Sequence, residues 1–157
     1  MRKKDREITD KTILEQLLRR TKICRLGLFD GSRPYVVPVS FAYEDGHIYI
    51  HSAPKGRKMD ILREHPQVCF EVETEVEVVT GERPCDYTVK YKSVIGVGTA
   101  VLLTDPEEKC QALALIMRRH GGPETGFREE VLPITAVIRI DIESMTGKAN
   151  PPYHEWE

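Results

Sequence analysis

Lys55, Arg57 and Lys58 put three cations within four positions, in the segment Ser52-Ala53-Pro54-Lys55-Gly56-Arg57-Lys58. The segment reads as the end of a strand passing through a Pro/Gly turn into the start of a helix. Such a start presents backbone N–H groups that have no partner inside the helix. Together with the Ser52 hydroxyl and the cations, those groups suit a phosphate monoester. Cations at a helix N-terminus oppose its dipole, which an anion would relieve. The plainer alternative, a solvated charge cluster, stays open on this segment alone.

Pro38 is the second unusual position, inside the β-like run YVVPVSFAY. Proline cannot donate to a ladder, so it belongs on an edge strand or at a bulge. An edge leaves N–H and C=O groups that a flat heteroaromatic, such as the pyrimidine edge of a flavin, can use. A bulge that protects the sheet edge explains the same proline without a ligand.

His51 adjoins the cationic turn and is a candidate hydrogen-bond or proton-transfer group near neutral pH. The alternative is a satisfied sheet histidine. Strand alternation puts Ile48 and Ile50 on one face and His47, Tyr49 and His51 on the other. Tyr91-Lys92-Ser93 offers a further hydroxyl and cation, with a surface role as an equal explanation. Cys24, Cys69, Cys85 and Cys110 are widely spaced, with no pattern of a zinc site. Cys85, between Pro84 and Asp86, lacks a basic neighbour to activate it.

The elements that must position these residues follow from the hydrophobic pattern. Thr9 or Asp10 caps a helix carrying Ile13, Leu14, Leu17 and Leu18, which ends near Thr21. Strands are expected at Ile23 to Phe29, Tyr35 to Glu44 and His47 to Ser52, joined by Asp30-Gly31 and Asp45-Gly46 turns. A short helix over Gly56 to His65, with Met59, Leu62 and Ile61 inward, stops at Pro66. Val68 to Val79 includes the period-two run VETEVEVV, and a long strand covers Tyr87 to Leu103. Asp105-Pro106-Glu107-Glu108 starts a helix carrying Cys110, Leu113, Ala114 and Met117. A loop over 121–133 and a last strand from Thr135 to about Ser144 complete the chain. Six strands in mostly hairpin order disfavour a doubly wound parallel sheet and predict a small antiparallel barrel with peripheral helices. Residues 1–8 and 149–157 are expected to be extended tails.

The chain has 157 residues, the size of one domain, with 40% apolar and 31% charged residues. This excludes disordered, collagen-like and membrane classes. With 23 Lys and Arg against 25 Asp and Glu, the net charge is −2, which speaks against a general nucleic-acid binder. The start, MRKKDREITD, has no apolar signal stretch, so a cytoplasmic location is expected.

Three blocks, RLGLFDGSRPYVVPVSFAYEDGHIYIHSAPKGRKMDILREHPQVCFEV, YKSVIGVGTAVLLTDPEEKCQALALIMRRHGG and VIRIDIESMTGKA, occur in this order. In them the chain resembles the pyridoxamine 5'-phosphate oxidase-related FMN-binding proteins, most closely the 5-nitroimidazole resistance branch. The resemblance implies a six-stranded split β-barrel over the whole chain and a homodimer with flavin sites at the subunit interface. It implies FMN held through its phosphate by Ser52, Lys55, Arg57 and Lys58, with Ser93 joining. The flavin ring would lie against Pro38, Val39, Ser40 and Phe41. It also implies an oxidoreductase passing electrons from reduced flavin to a small acceptor such as a nitroimidazole; His51 is the candidate for the proton donor or substrate contact that such a reaction needs. A flavin- or haem-binding module without catalysis, with His51 or His120 as axial ligand, is the alternative. True pyridoxamine-phosphate oxidase activity ranks third, because TGKANPPYHEWE does not match that enzyme's substrate-binding segment. The C-terminal Tyr153, His154 and Trp156 are candidates to cover a flavin or reach the partner subunit, against the plain alternative of a mobile tail.

Overall fold

Asp10 supplies the first fixed point. Its carboxylate accepts from the backbone N–H groups of Thr12 and Ile13 at 2.8 and 3.3 Å and so starts α1 (Lys11–Arg20). Leu14, Leu17 and Leu18 of α1 are buried, at helical spacing on one face. The computed structural model describes residues 3–156.

Eight antiparallel strands follow the alternation in the sequence: β1 (Glu7–Ile8), β2 (Ile23–Phe29), β3 (Pro34–Ser40), β4 (Ala42–Glu44), β5 (His47–Ser52), β6 (Gln67–Val79), β7 (Thr88–Leu103) and β8 (Ala136–Asn150). They form one sheet in the order β3-β2-β6-β7-β8-β5-β4, with β1 added to β8. The two ends of this order, β3 and β4, are consecutive in the chain. The sheet therefore curls until its edges come together around Phe41, whose N–H donates to the Lys22 carbonyl at 3.3 Å. No ladder joins β3 to β4. This is a split barrel, held closed there by the chain itself and not by strand pairing.

The count of six strands is corrected to eight. The expected strand from Tyr35 to Glu44 is broken at Phe41, because the fully buried Phe41 turns the chain from one sheet edge to the other. Within the N-terminal segment Lys4–Arg6 form a 3-10 turn, and Glu7 and Ile8 pair with Lys148 and Gly147. The last strand also runs past Ser144 to Asn150, and Tyr153–Trp156 is a 3-10 turn. The expected extension of residues 1, 2 and 157 lies outside the described residues, as does any role of the Trp156 side chain.

The Asp45-Gly46 turn forms as expected, both residues taking positive φ, 46° and 83°. Phe41, Phe70, Leu26, Ile48, Ile50, Val72, Val94, Ile138 and Ile140 are fully enclosed inside the barrel. Each such side chain contributes roughly 1.5–3 kcal/mol relative to exposure. Gly96 is required by this packing, since a Cβ there would lie 2.3 Å from the Phe70 ring. Two helices pack outside: α2 (Arg57–Glu64), burying Met59, Ile61 and Leu62, and α3 (Pro106–His120), capped by Asp105 at 3.0 Å. On α3 the most deeply buried positions are Lys109, Ala112 and Ile116, while Cys110, Leu113, Ala114 and Met117 are only half-buried. Among the described residues no helix is long and apolar enough to cross a membrane.

Candidate functional site

The turn from β5 into α2 has the shape that the sequence suggests. Gly56 is the N-cap of α2 with φ 112°, a conformation that L side chains rarely adopt, and no side chain caps the helix start. Lys55 and Arg57 are exposed, and Ser52 and Lys58 are half-buried. Lys58 has no hydrogen-bond or ion-pair partner among the described residues, and burial pushes its ammonium below the usual lysine range. A cation partly removed from water and left unpaired is costly. An anion at this turn would offset that cost, so the residues present fit a phosphate.

Arg57 couples the turn to the edge of the sheet. Its guanidinium donates to Asp30 Oδ2 at 3.2 Å and lies 4.6 Å from the centre of the Tyr35 ring. Asp30 is itself fixed by accepting from the backbone N–H groups of Arg33 and Ser32 at 2.6 and 2.9 Å. Those two N–H groups, and then Arg57, hold its carboxyl below the usual aspartate range. Neither Asp30 nor Tyr35 stands out as a site residue in the sequence. Asp30 reads there only as a turn residue, and its distance of 27 positions from Arg57 leaves no periodic signal.

Tyr35 opens the strand that carries Pro38, and that strand pairs on one side only, with β2. Pro38 thus sits on an edge, opposite Arg25. Val39 and Phe41 point into the core, whereas Pro38 is exposed and Ser40 half-buried. What this strand offers a ligand is therefore its backbone edge together with Pro38 and Ser40. The basic turn and the edge strand are brought together by the Arg57–Tyr35 contact, roughly 10–17 Å of strand separating Tyr35 from Pro38 and Ser40.

His51 is exposed, on the face opposite Ile48 and Ile50, as alternation requires. It lines a cavity of about 340 Å³ with Leu113, Met117, Phe127 and Thr135. His120 on α3 is near enough for its positive charge to be disfavoured by that of His51, after the larger effects of burial, Arg119 and Lys22. His47 is different: its Nδ1 is 2.9 Å from Asp141 Oδ1, and Arg139 donates to the same carboxylate at 2.7 and 3.2 Å.

Tyr91, Lys92 and Ser93 do not join the basic turn within one chain. Ser52 pairs with Ala136 at the start of β8, whereas Ser93 pairs with Lys148 near its end. Lys92 points inward, 7% exposed, and is bound by Glu75 at 2.7 Å with the Tyr153 ring 5.0 Å away. Tyr91 accepts from Lys148 Nζ at 2.5 Å. Ser93 lies on the outer face of β7, in line with the exposed Ile95 and Val97.

Known proteins share this fold. The crystal structure of a Bacteroides thetaiotaomicron protein, named for a candidate role in 5-nitroimidazole antibiotic resistance, is similar with a TM-score of 0.82 and 30% identity, over 91% of this chain and 86% of that one. A FAD-binding protein of Mesorhizobium loti is similar with a TM-score of 0.68 and 25% identity, over 92% and 96% of the two chains. A FAD and heme binding protein of Mycobacterium smegmatis, 19% identical over 92% of this chain and 73% of that one with a TM-score of 0.80, has the same fold. The family profile described as pyridoxamine 5'-phosphate oxidase matches residues 10–149, so that the split barrel, its basic turn and its proline-bearing edge strand belong to a member of that flavin-binding family.

Proposed function

We propose that this protein is an FMN-dependent oxidoreductase that works as a homodimer and reduces a small acceptor such as a nitroimidazole. The observation that carries the reading is the unpaired, half-buried Lys58 beside Arg57, whose contact with Tyr35 joins the phosphate-binding turn to the open edge of β3. The flavin phosphate would be held by Ser52, Lys55, Arg57, Lys58 and the first N–H groups of α2. The ring would lie along Pro38, Val39, Ser40 and Phe41, using the strand's free backbone groups.

When bound, the flavin supplies the electrons. A nitro group that takes up two electrons and two protons becomes a nitroso group and releases water. His51, exposed beside the turn, delivers a proton to that oxygen or holds it in place.

The dimer is supported by the outer face of β6 and β7. Val76, Val78, Val89, Ile95 and Val97 are all exposed there, at 41 to 64%, with Glu71 and Glu73 set among them opposite Ile95 and Ser93, and exposed apolar side chains grouped on one face suit an interface. Ser93 lies on the same face, so a second copy seated on it could bring its own Ser93 toward this chain's flavin.

The test is the protein's own colour and mass. Freshly purified protein should show oxidised-flavin absorption and release a ligand with the mass of FMN, and Arg57→Ala with Lys58→Ala should purify folded but colourless. A double variant that stayed yellow would sink the phosphate assignment, and a haem Soret band in place of flavin bands would sink the cofactor. Ile95→Glu should give a monomer in sedimentation, and an unchanged dimer would remove this face from the interface.

A further inference from the structure

Lys109, on the first turns of α3, is only 9% exposed, although lysine is among the residues least often buried without a partner. Its Nζ donates to the carbonyl of Leu132, which pins the 121–133 segment to the helix. An ammonium has three donors, and the other two have no partner among the described residues. The side chain lines a cavity of about 750 Å³, within the size range of small-molecule sites. Phe127, Leu132 and Pro133 give this cavity apolar walls. Glu107 and Glu129, both exposed, contribute to its lining.

We infer that this cavity is a second ligand site, separate from the basic turn, and that it takes a small apolar monocarboxylate. Its carboxylate would use the two unspent donors of Lys109, and its aliphatic or aromatic body would fill the space beside Phe127 and Leu132. The exposed carboxylates of Glu107 and Glu129 repel anions in proportion to their charge, so a flavin or nucleotide phosphate is disfavoured here more than a single carboxylate paired with Lys109. The inference does not rest on the flavin reading, because Lys109 takes no part in that reading, although Phe127 and Leu132 line both this cavity and the one beside His51.

The experiment is a titration of the full chain with 3-phenylpropionate, with its neutral amide and with inorganic phosphate, followed by backbone amide NMR. The acid should shift resonances of Phe127, Leu132 and the first turns of α3, and should bind about tenfold or more tightly than the amide. Phosphate should leave those resonances in place. Lys109→Met, which keeps the stem, should lower the acid's affinity to that of the amide. The proposal is overturned if acid and amide bind alike, if the acid moves only the basic turn or nothing at millimolar concentration, or if folded Lys109→Met still prefers the acid. Should that variant fail to fold, the ratio of acid to amide on the unaltered protein decides.

Discussion

Lys58 and Lys92 are both withdrawn from water, yet their surroundings differ. Lys92 is enclosed by its own fold: Glu75 sits at 2.7 Å and the Tyr153 ring at 5.0 Å. Glu75 reaches it because the β6 ladder slips between Thr74 and Glu77, with Glu75 at φ 56°. Lys58 stands at a helix start with no such partner and with its charged form disfavoured by burial. A buried charge that the chain neutralises serves the structure. One that the chain leaves open is tolerated at a cost, which on the proposed reading a ligand of opposite charge offsets.

Exchanging each lysine for methionine separates the two roles. Lys92→Met leaves Glu75 with Arg20, at 3.6 Å, as its remaining ion-pair partner among the described residues. Stability measured by urea unfolding should fall by about 2 kcal/mol, with flavin affinity of the folded protein unchanged. Lys58→Met should do the opposite, keeping or raising stability without ligand and weakening flavin binding about tenfold or more. The pH dependence has a definite sign. Because the folded pKa of Lys58 lies below its unfolded value of 10.5, the unfolded chain holds more protons in the window between them, so ligand-free stability from this group rises with pH there. Lys58→Met should remove that rise, and a curve identical to the parent's would break the contrast.

The same contrast recurs on β5 between His47, tied to Asp141, and His51, open to a cavity. His51→Gln should leave flavin bound and stability unchanged but slow turnover of a reducible acceptor about tenfold. His47→Gln should lower stability and leave turnover per bound flavin as it was. If the two variants affect turnover equally, His51 has no part in the chemistry.

Much of this was legible in the sequence, for reasons that differ from place to place. The strands bounded by Asp-Gly turns fall where the pattern puts them, since turn chemistry and alternation are local. The break at Phe41 is not local, because nothing in YVVPVSFAY says that its two halves join opposite ends of a sheet. The pairing of β1 with β8 was not legible for the same reason: two residues carry too little pattern to announce a partner. The basic turn could be read because its cations are adjacent. The fate of Lys92 could not be, because it depends on a ladder slip that places Glu75 against it. The α3 face falls on Lys109, Ala112 and Ile116 because Ala112 packs with Leu103 and Val137 of the sheet and Lys109 is held by Leu132.

Asp30 gives the finest test of how open the basic turn is. Its carboxylate takes one of the five guanidinium donors of Arg57 and places a negative charge beside the site proposed for a phosphate. It therefore orients Arg57 and opposes the ligand at once. Asp30→Asn removes the opposing charge and keeps an oxygen for the turn, so flavin affinity should rise about two- to threefold at low salt and converge with the parent at high salt. The acid limb should shift as well. With a folded pKa held below 3.8, ionised Asp30 contributes stability that is present above that value and lost as pH falls through the lowered one, and the variant should lack this loss. If affinity falls instead, holding Arg57 against Tyr35 matters more to the site than the charge Asp30 brings to it.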